Sequence, residues 1–403
     1  MSGDPMSEAL EFHPLTFVPG HDGVMVGRLD TESYAVLPAD GAELLRRLYD
    51  GMAPDDAGGW YHATFGERID VTDFLETLRE LGFTRAAGEA PAAPVRVRYR
   101  WLGRAMFSPV AWAGYAALLT ATLLAMVEHP GLRPRPGHVL FSPSLITVQL
   151  VLVAVQVPAV LWHEWFHVMA GRRLGLPTTL SIGRRMYYIV FETNLNGLLS
   201  VPRRRRYLPF MAGMLADLLL ACGMTLLAGT GAPGWLTRFA LAVAYTTLLR
   251  LGWQFQLFLR TDPYYALTTY LGSTDLAGAS AALLRRWFRR PPAPGDDQDW
   301  SPRDRALAPG FAVFTLFGGG VLAAWLAYQI TLVTLVFGRH AVDALGHGTV
   351  REAGFWDSAV GLVLLLLQFV VLPLVVGGRR RRRARRSTEP GSGAEPALEG
   401  ALE

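Results

Sequence analysis

Six runs of roughly 20 apolar residues punctuate the chain, near 105–127, 143–171, 208–229, 235–259, 309–337 and 357–377, and a run of that length satisfies its backbone polar groups in hydrocarbon only as a membrane-crossing helix. The pattern predicts a mainly α, polytopic membrane protein with about six transmembrane helices. Composition agrees: 51% of the 403 residues are hydrophobic and 18% are charged, a balance that excludes an ordinary soluble enzyme. The last two runs are the cleanest, and the fourth carries Arg238 and Arg250.

All 38 basic residues are arginine, and their placement carries orientation information because basic residues next to spans stay on the cytoplasmic side. Arg96, Arg98, Arg100 and Arg104 precede the first run; Arg172, Arg173, Arg184, Arg185 and Arg203 to Arg206 lie between the second and third. Further clusters lie between the fourth and fifth runs, from Arg285 to Arg305, and after the sixth, from Arg379 to Arg386. The alternate loops hold only Arg133 and Arg135, none, and Arg339 with Arg351. Both termini are therefore expected in the cytoplasm of a multi-pass cell-membrane protein. Such clusters contact anionic lipid, so the expected partner is the bilayer and not nucleic acid. Met1 to Pro19 has no basic segment followed by an apolar core, so no cleavable signal peptide is expected. The lone Cys222 lies in the third run and reads as a packing residue.

Residues 10–87 are patterned differently. Val24, Val26 and Leu29, then Tyr34, Val36 and Leu37, read as two short strands around the turn-like Asp30 to Glu32. Ala39 to Tyr49 reads as an amphipathic helix stopped at Asp50-Gly51, and Asp70-Val71-Thr72-Asp73 starts another with Phe74, Leu75, Leu78 and Leu81 facing inward. Together these predict a small α+β winged-helix-like domain. The order of elements resembles the PqqD-like domains that bind leader peptides of ribosomally made, modified peptides. The residues carrying the resemblance are Ser33 to Leu37, Gly41 to Leu45, Tyr49-Asp50-Gly51, Phe74 to Leu78 and Leu81-Gly82-Phe83. It implies that the domain holds an extended peptide against a strand edge. The expected organisation is thus a peptide-binding domain at 10–87, a linker at 88–104, a transmembrane domain at 105–377 and a basic, disordered cytoplasmic tail at 378–403.

Within the second apolar run, His163-Glu164-Trp165-Phe166-His167 spells H-E-x-x-H. On a helix, positions i and i+4 share a face, so both imidazoles can bind one Zn²⁺ while Glu164 serves the chemistry beside it. Ionisable groups are costly in hydrocarbon and mark functional sites there. A catalytic zinc takes three protein ligands, so His163 and His167 need a companion. Glu192, Asp217, Asp262 and Asp275 are the candidates in or near the membrane. Both histidines fall in the last third of their run, close to Arg172; Asp262 lies just past the fourth run at comparable depth, and Asp217 is not excluded by depth.

The chain here resembles the site-2 protease family of membrane-embedded zinc metalloproteases, in the version found in bacterial peptide zinc metalloproteases. The resemblance rests on His163 to His167 with Ala170 and Arg172-Arg173-Leu174-Gly175, on Ala212-Gly213-Met214-Leu215-Ala216-Asp217, and on Thr261-Asp262-Pro263-Tyr264-Tyr265-Ala266-Leu267. It covers about residues 140–275 and implies Asp262 as the third ligand. Pro263 stands where glycine is common in the family, and Asp217 where many members have asparagine. The implied activity is a zinc metalloendopeptidase with Glu164 as general base. Leu180 to Pro202 is too polar to cross the membrane, and its β-prone Met186 to Phe191 reads either as part of a surface hairpin whose edge pairs with an unwound substrate or as a plain interfacial loop. Trp162, just before the motif, and Trp165, within it, read as packing residues. The expected substrate is a ribosomally made precursor peptide or a membrane-anchored regulatory protein. A non-catalytic membrane peptide-binding, transport-accessory or immunity protein is the alternative.

Overall fold

The computed structural model describes residues 10–20, 23–85, 89–90, 96–185, 188–194, 196–293, 296, 300–347 and 353–366. Its contacts divide into two units, one of residues 1–141, 154–181 and 191–326, the other of residues 142–153, 182–190 and 327–403.

In the first unit, strands β1 (Glu11–Phe12), β2 (Thr16–Pro19), β3 (Val24–Arg28) and β4 (Ser33–Leu37) precede helices α1 (Ala39–Tyr49), α2 (Pro54–Phe65) and α3 (Val71–Glu80). Strand β5 (Thr84–Arg85) then returns to pair with β1. The three-stranded antiparallel sheet runs β2-β3-β4, with Val26 opposite both Phe17 and Ala35. Val26, Leu45, Leu78 and Phe83 are fully buried between this sheet, α1 and α3, each such side chain contributing roughly 1.5–3 kcal/mol. Asp70 caps α3 by accepting hydrogen bonds from the Thr72 and Asp73 amides.

Two details depart from the sequence reading. Leu29 falls in the β3–β4 turn and not in a strand. Helix α2, with its Gly58-Gly59 pair, is a weak helix former by propensity. Tertiary contact decides it: Ala57 and Tyr61, four residues apart, bury against Leu44 and Leu48 of α1.

The apolar part follows as α4 (Arg100–Met106), α5 (Pro109–Glu128), α6 (Leu145–Arg173), strands β6 (Thr179–Arg185) and β7 (Tyr188–Asn194), α7 (Arg203–Ala228), α8 (Gly234–Trp253), α9 (Asp262–Leu271), α10 (Leu276–Trp287), α11 (Pro302–His347) and α12 (Ala353–Leu366). Among the described residues four helices are long and apolar enough to cross a membrane: α5, α6, α7 and the Pro302–Tyr328 part of α11. The protein is thus a mainly helical membrane protein. The expected fourth run does form a helix, α8, but Arg238 and Arg250 lower its hydropathy and it is not among those four. Of the expected sixth run, α12 covers the start, and 367–377 lie outside the described residues, as do 88 and 91–95 of the linker and all of the tail.

Helices α6 and α7 meet through small residues. Ala170 of α6 and Ala212 and Ala216 of α7 lie in one buried cluster with Phe107, Phe166, Val168 and Met169, and the alanines let the two backbones approach closely. Gly103 of α4 sits against the end of α6, where an added Cβ would fall 2.4 Å from the Met169 carbonyl oxygen. Strands β6 and β7 pair in a two-stranded sheet, as the polar, β-prone stretch predicts, with Met186 and Tyr187 outside the described residues. Within the second unit, Asp357 accepts from the Leu145 and Ile146 amides at 2.7 and 3.4 Å and from the Ser144 hydroxyl, capping the start of α6.

Candidate metal centre

Two elements bring the donors together. The helical spacing of α6 sets His163 Nε2 and His167 Nε2 3.2 Å apart, and Asp262 Oδ2 lies 3.1 Å from each. Both imidazoles are buried. Asp262 is the first residue of α9, where unpaired amides favour a carboxylate. Pro263 follows in the first turn, a position that needs no N–H, so the proline costs the helix nothing there.

The opposite ring nitrogens fix what the Nε2 atoms can do. His167 Nδ1 lies 2.7 Å from the Pro209 carbonyl oxygen, which only accepts, so Nδ1 carries the proton. His163 Nδ1 lies 3.1 Å from Asp217 Oδ2. That carboxylate receives Arg250 Nη2 on Oδ1 at 2.5 Å and Nε on Oδ2 at 3.2 Å, so it acts as an acceptor as well. With both Nδ1 atoms donating, the neutral imidazoles present their Nε2 lone pairs to one another and to the Asp262 carboxylate. Three acceptors facing one point repel unless a cation sits among them. The three donor atoms lie within 4.8 Å of one another and can hold a metal ion. Their separations match the edge of a tetrahedral zinc site, about 3.3 Å for bonds of roughly 2.0 Å. Gly213 supplies the space: a Cβ there would fall 2.3 Å from each Nε2.

Of the four candidate companions, Asp262 is the one among the Nε2 atoms. Asp217, fully buried, stands behind His163 instead. Asp275 caps α10 through the Gly278 amide and pairs with Arg260. The side chain of Glu192 lies outside the described residues.

Glu164 Oε2 accepts a hydrogen bond from the Thr193 hydroxyl of β7 at 2.8 Å. Sequence reasoning missed Thr193, which has no local signal, and it missed the role of Arg250. An arginine inside an apolar helix was itself the available signal for Arg250, since such a charge is retained only with a partner. Arg250 Nη1 also donates to Gln156 Oε1 at 2.8 Å, tying α8 to α6. Trp162 donates to the Ala216 carbonyl at 3.1 Å and packs on Trp165 and Phe166.

Comparisons with family models, with curated proteins and with solved structures returned no match.

Proposed function

We propose that the protein is an intramembrane zinc endopeptidase of the site-2 protease type, with His163, His167 and Asp262 holding Zn²⁺ and Glu164 as general base. The observation that carries this reading is the convergence of three lone-pair donors with Glu164 one residue beyond the first. Bound at these residues, Zn²⁺ would supply Lewis-acid polarisation of a carbonyl and acidification of water. Glu164 then takes a proton from the attacking water and returns it to the leaving amine. Asp217 and Pro209 hold the two imidazoles in one tautomer and orientation. Oxygen and nitrogen donors in this geometry suit zinc.

Further parts of the reading extend from that site. The chain crosses the membrane six times with both termini in the cytoplasm, α8 and the apolar sequence run 357–377 accounting for two spans beyond the four apolar helices. The histidines lie in the C-terminal half of α6, toward Arg172 and Arg173, and basic residues at that end support cleavage in the cytoplasmic half of the bilayer. Strand β4 ends the three-stranded sheet with Val36 exposed, and an extended leader of a ribosomally made precursor adds to that edge. A membrane-anchored regulatory protein is the second substrate class.

The test is cleavage of candidate precursors presented with the protein in vesicles, with and without a zinc chelator. The reading predicts cleavage that chelation abolishes, zinc restores and Glu164→Gln eliminates. Peptide binding without cleavage in every preparation would favour the non-catalytic accessory or immunity protein instead.

A further inference from the structure

The end of β7 lies between the catalytic helix and the N-terminal domain. Thr193 and Asn194 are adjacent on a strand, so their side chains leave on opposite faces. The Thr193 hydroxyl donates to Glu164 Oε2 at 2.8 Å and lies 3.2 Å from the Glu164 carbonyl oxygen. Asn194 Nδ2 donates to both carboxylate oxygens of Glu32, at 3.0 and 3.1 Å.

Glu32 belongs to a turn that is held rigidly. It has φ 55°, a left-handed conformation uncommon for a residue of its kind. Arg28 grips Asp30 with two hydrogen bonds of 2.8 Å and reaches the Gly82 carbonyl at 2.6 Å. Ser33 donates to the Leu81 carbonyl at 2.9 Å, so both sides of the turn are tied to the end of α3. From the same turn Leu29 packs against the buried cluster of Leu176, Leu198 and Val201, which immediately follows α6 and β7 in the chain.

We propose, on the peptidase reading above, that Thr193 is a positioning residue for the Glu164 carboxylate, and that the β3–β4 turn of the N-terminal domain seats it through Glu32 and Asn194. The domain is then part of the apparatus that aims the general base, beyond any peptide it carries. Whatever displaces the turn from β7 misplaces Glu164 without touching a metal ligand.

The test uses the full-length, zinc-loaded protein and a fluorescent dipeptide hydroxamate, a probe that chelates the metal and hydrogen-bonds to the carboxylate beside it. Thr193→Val keeps the shape and the strand preference but removes the donor. It should weaken probe binding about tenfold, the scale of one lost hydrogen bond to a charged group. Thr193→Ser should bind as the unaltered protein does, and zinc content should be equal in all. Glu32→Ala should weaken binding in the same direction, and adding it to Thr193→Val should cost nothing further, since the two act in series. Equal binding by Thr193→Val and the unaltered protein would overturn the proposal, as would equal losses in Thr193→Val and Thr193→Ser. If the unaltered protein binds neither zinc nor probe, the peptidase reading itself fails, an outcome that no Thr193 variant enters. Independently, a Glu32→Cys/Asn194→Cys pair should be joined by a short bis-methanethiosulfonate, each thiol displacing methanesulfinate to form a disulfide to the linker, with buried Cys222 as the only other thiol. Failure to join them would overturn the part assigned to the N-terminal domain.

Discussion

Arg250 Nη2 meets Asp217 Oδ1 at 2.5 Å while Arg250 Nε meets Asp217 Oδ2 at 3.2 Å, a two-point ion pair between α8 and α7 directly behind the His163 imidazole. It divides the work of the two aspartates: Asp262 faces the two Nε2 atoms, and Asp217, neutralised from the far side, keeps His163 donating from Nδ1.

Removing one partner of that pair leaves the other charge buried. Arg250→Met is expected to destabilise the protein by about 3–5 kcal/mol, the cost of an uncompensated buried charge. Asp217→Leu combined with Arg250→Met should recover most of that loss, because an apolar pair of similar volume needs no partner. Zinc affinity should stay low in the double variant, by about 10- to 100-fold, since the group orienting His163 is still missing. Thermal unfolding in detergent and competition with a zinc chelator read the two effects separately.

Gly213 tests whether the space beside the imidazoles matters as much as the donors. The Cβ of Gly213→Ala would stand 2.3 Å from both Nε2 atoms, well inside van der Waals contact. Gly223 lies on the same helix with nothing within 4 Å of its added Cβ. Gly213→Ala is expected to lose zinc and activity, whereas Gly223→Ala should keep both and gain slightly from helix propensity. Metal analysis of the two purified variants decides it.

The N-terminal domain has a pH dependence of its own. The Tyr61 hydroxyl donates to Asp40, and that bond holds the Asp40 carboxyl below the usual carboxylate range while pushing the Tyr61 phenol up to about 12. A lowered acid stabilises the fold above its unfolded value, near 4, and the gain is lost as pH falls through the folded value. A raised phenol stabilises below its unfolded value, near 10, and the gain fades as pH rises towards about 12. Tyr61→Phe should flatten both ends of the stability profile, as followed by the thermal midpoint at acidic, neutral and alkaline pH.

The apolar helices were legible because each run of hydrocarbon side chains is its own signal, and the His163–His167 pair because i,i+4 spacing is local. Depth left Asp262 and Asp217 both open and only the resemblance chose Asp262, since nothing near it in the chain says that α9 begins against α6. Helix α2 escaped because its reason for forming is the buried face of α1, and its own Gly58-Gly59 argues against it. Thr193 and Glu164 lie 29 residues apart and Glu32 and Asn194 lie 162 apart. Contacts between such distant residues leave no periodic trace in the chain. Arg238 and Arg250 looked alike in sequence, yet only Arg250 meets a buried carboxylate, Arg238 bonding a backbone oxygen of its own helix.

The most direct measurement is metal content, by elemental analysis, of the purified protein beside Asp262→Asn and Glu164→Gln. The account predicts one zinc per chain in the unaltered protein, the same in Glu164→Gln, and a substoichiometric amount in Asp262→Asn. Zinc retained in full by Asp262→Asn would contradict the assigned ligand set, and no zinc, or stoichiometric iron in its place, would contradict the zinc centre itself.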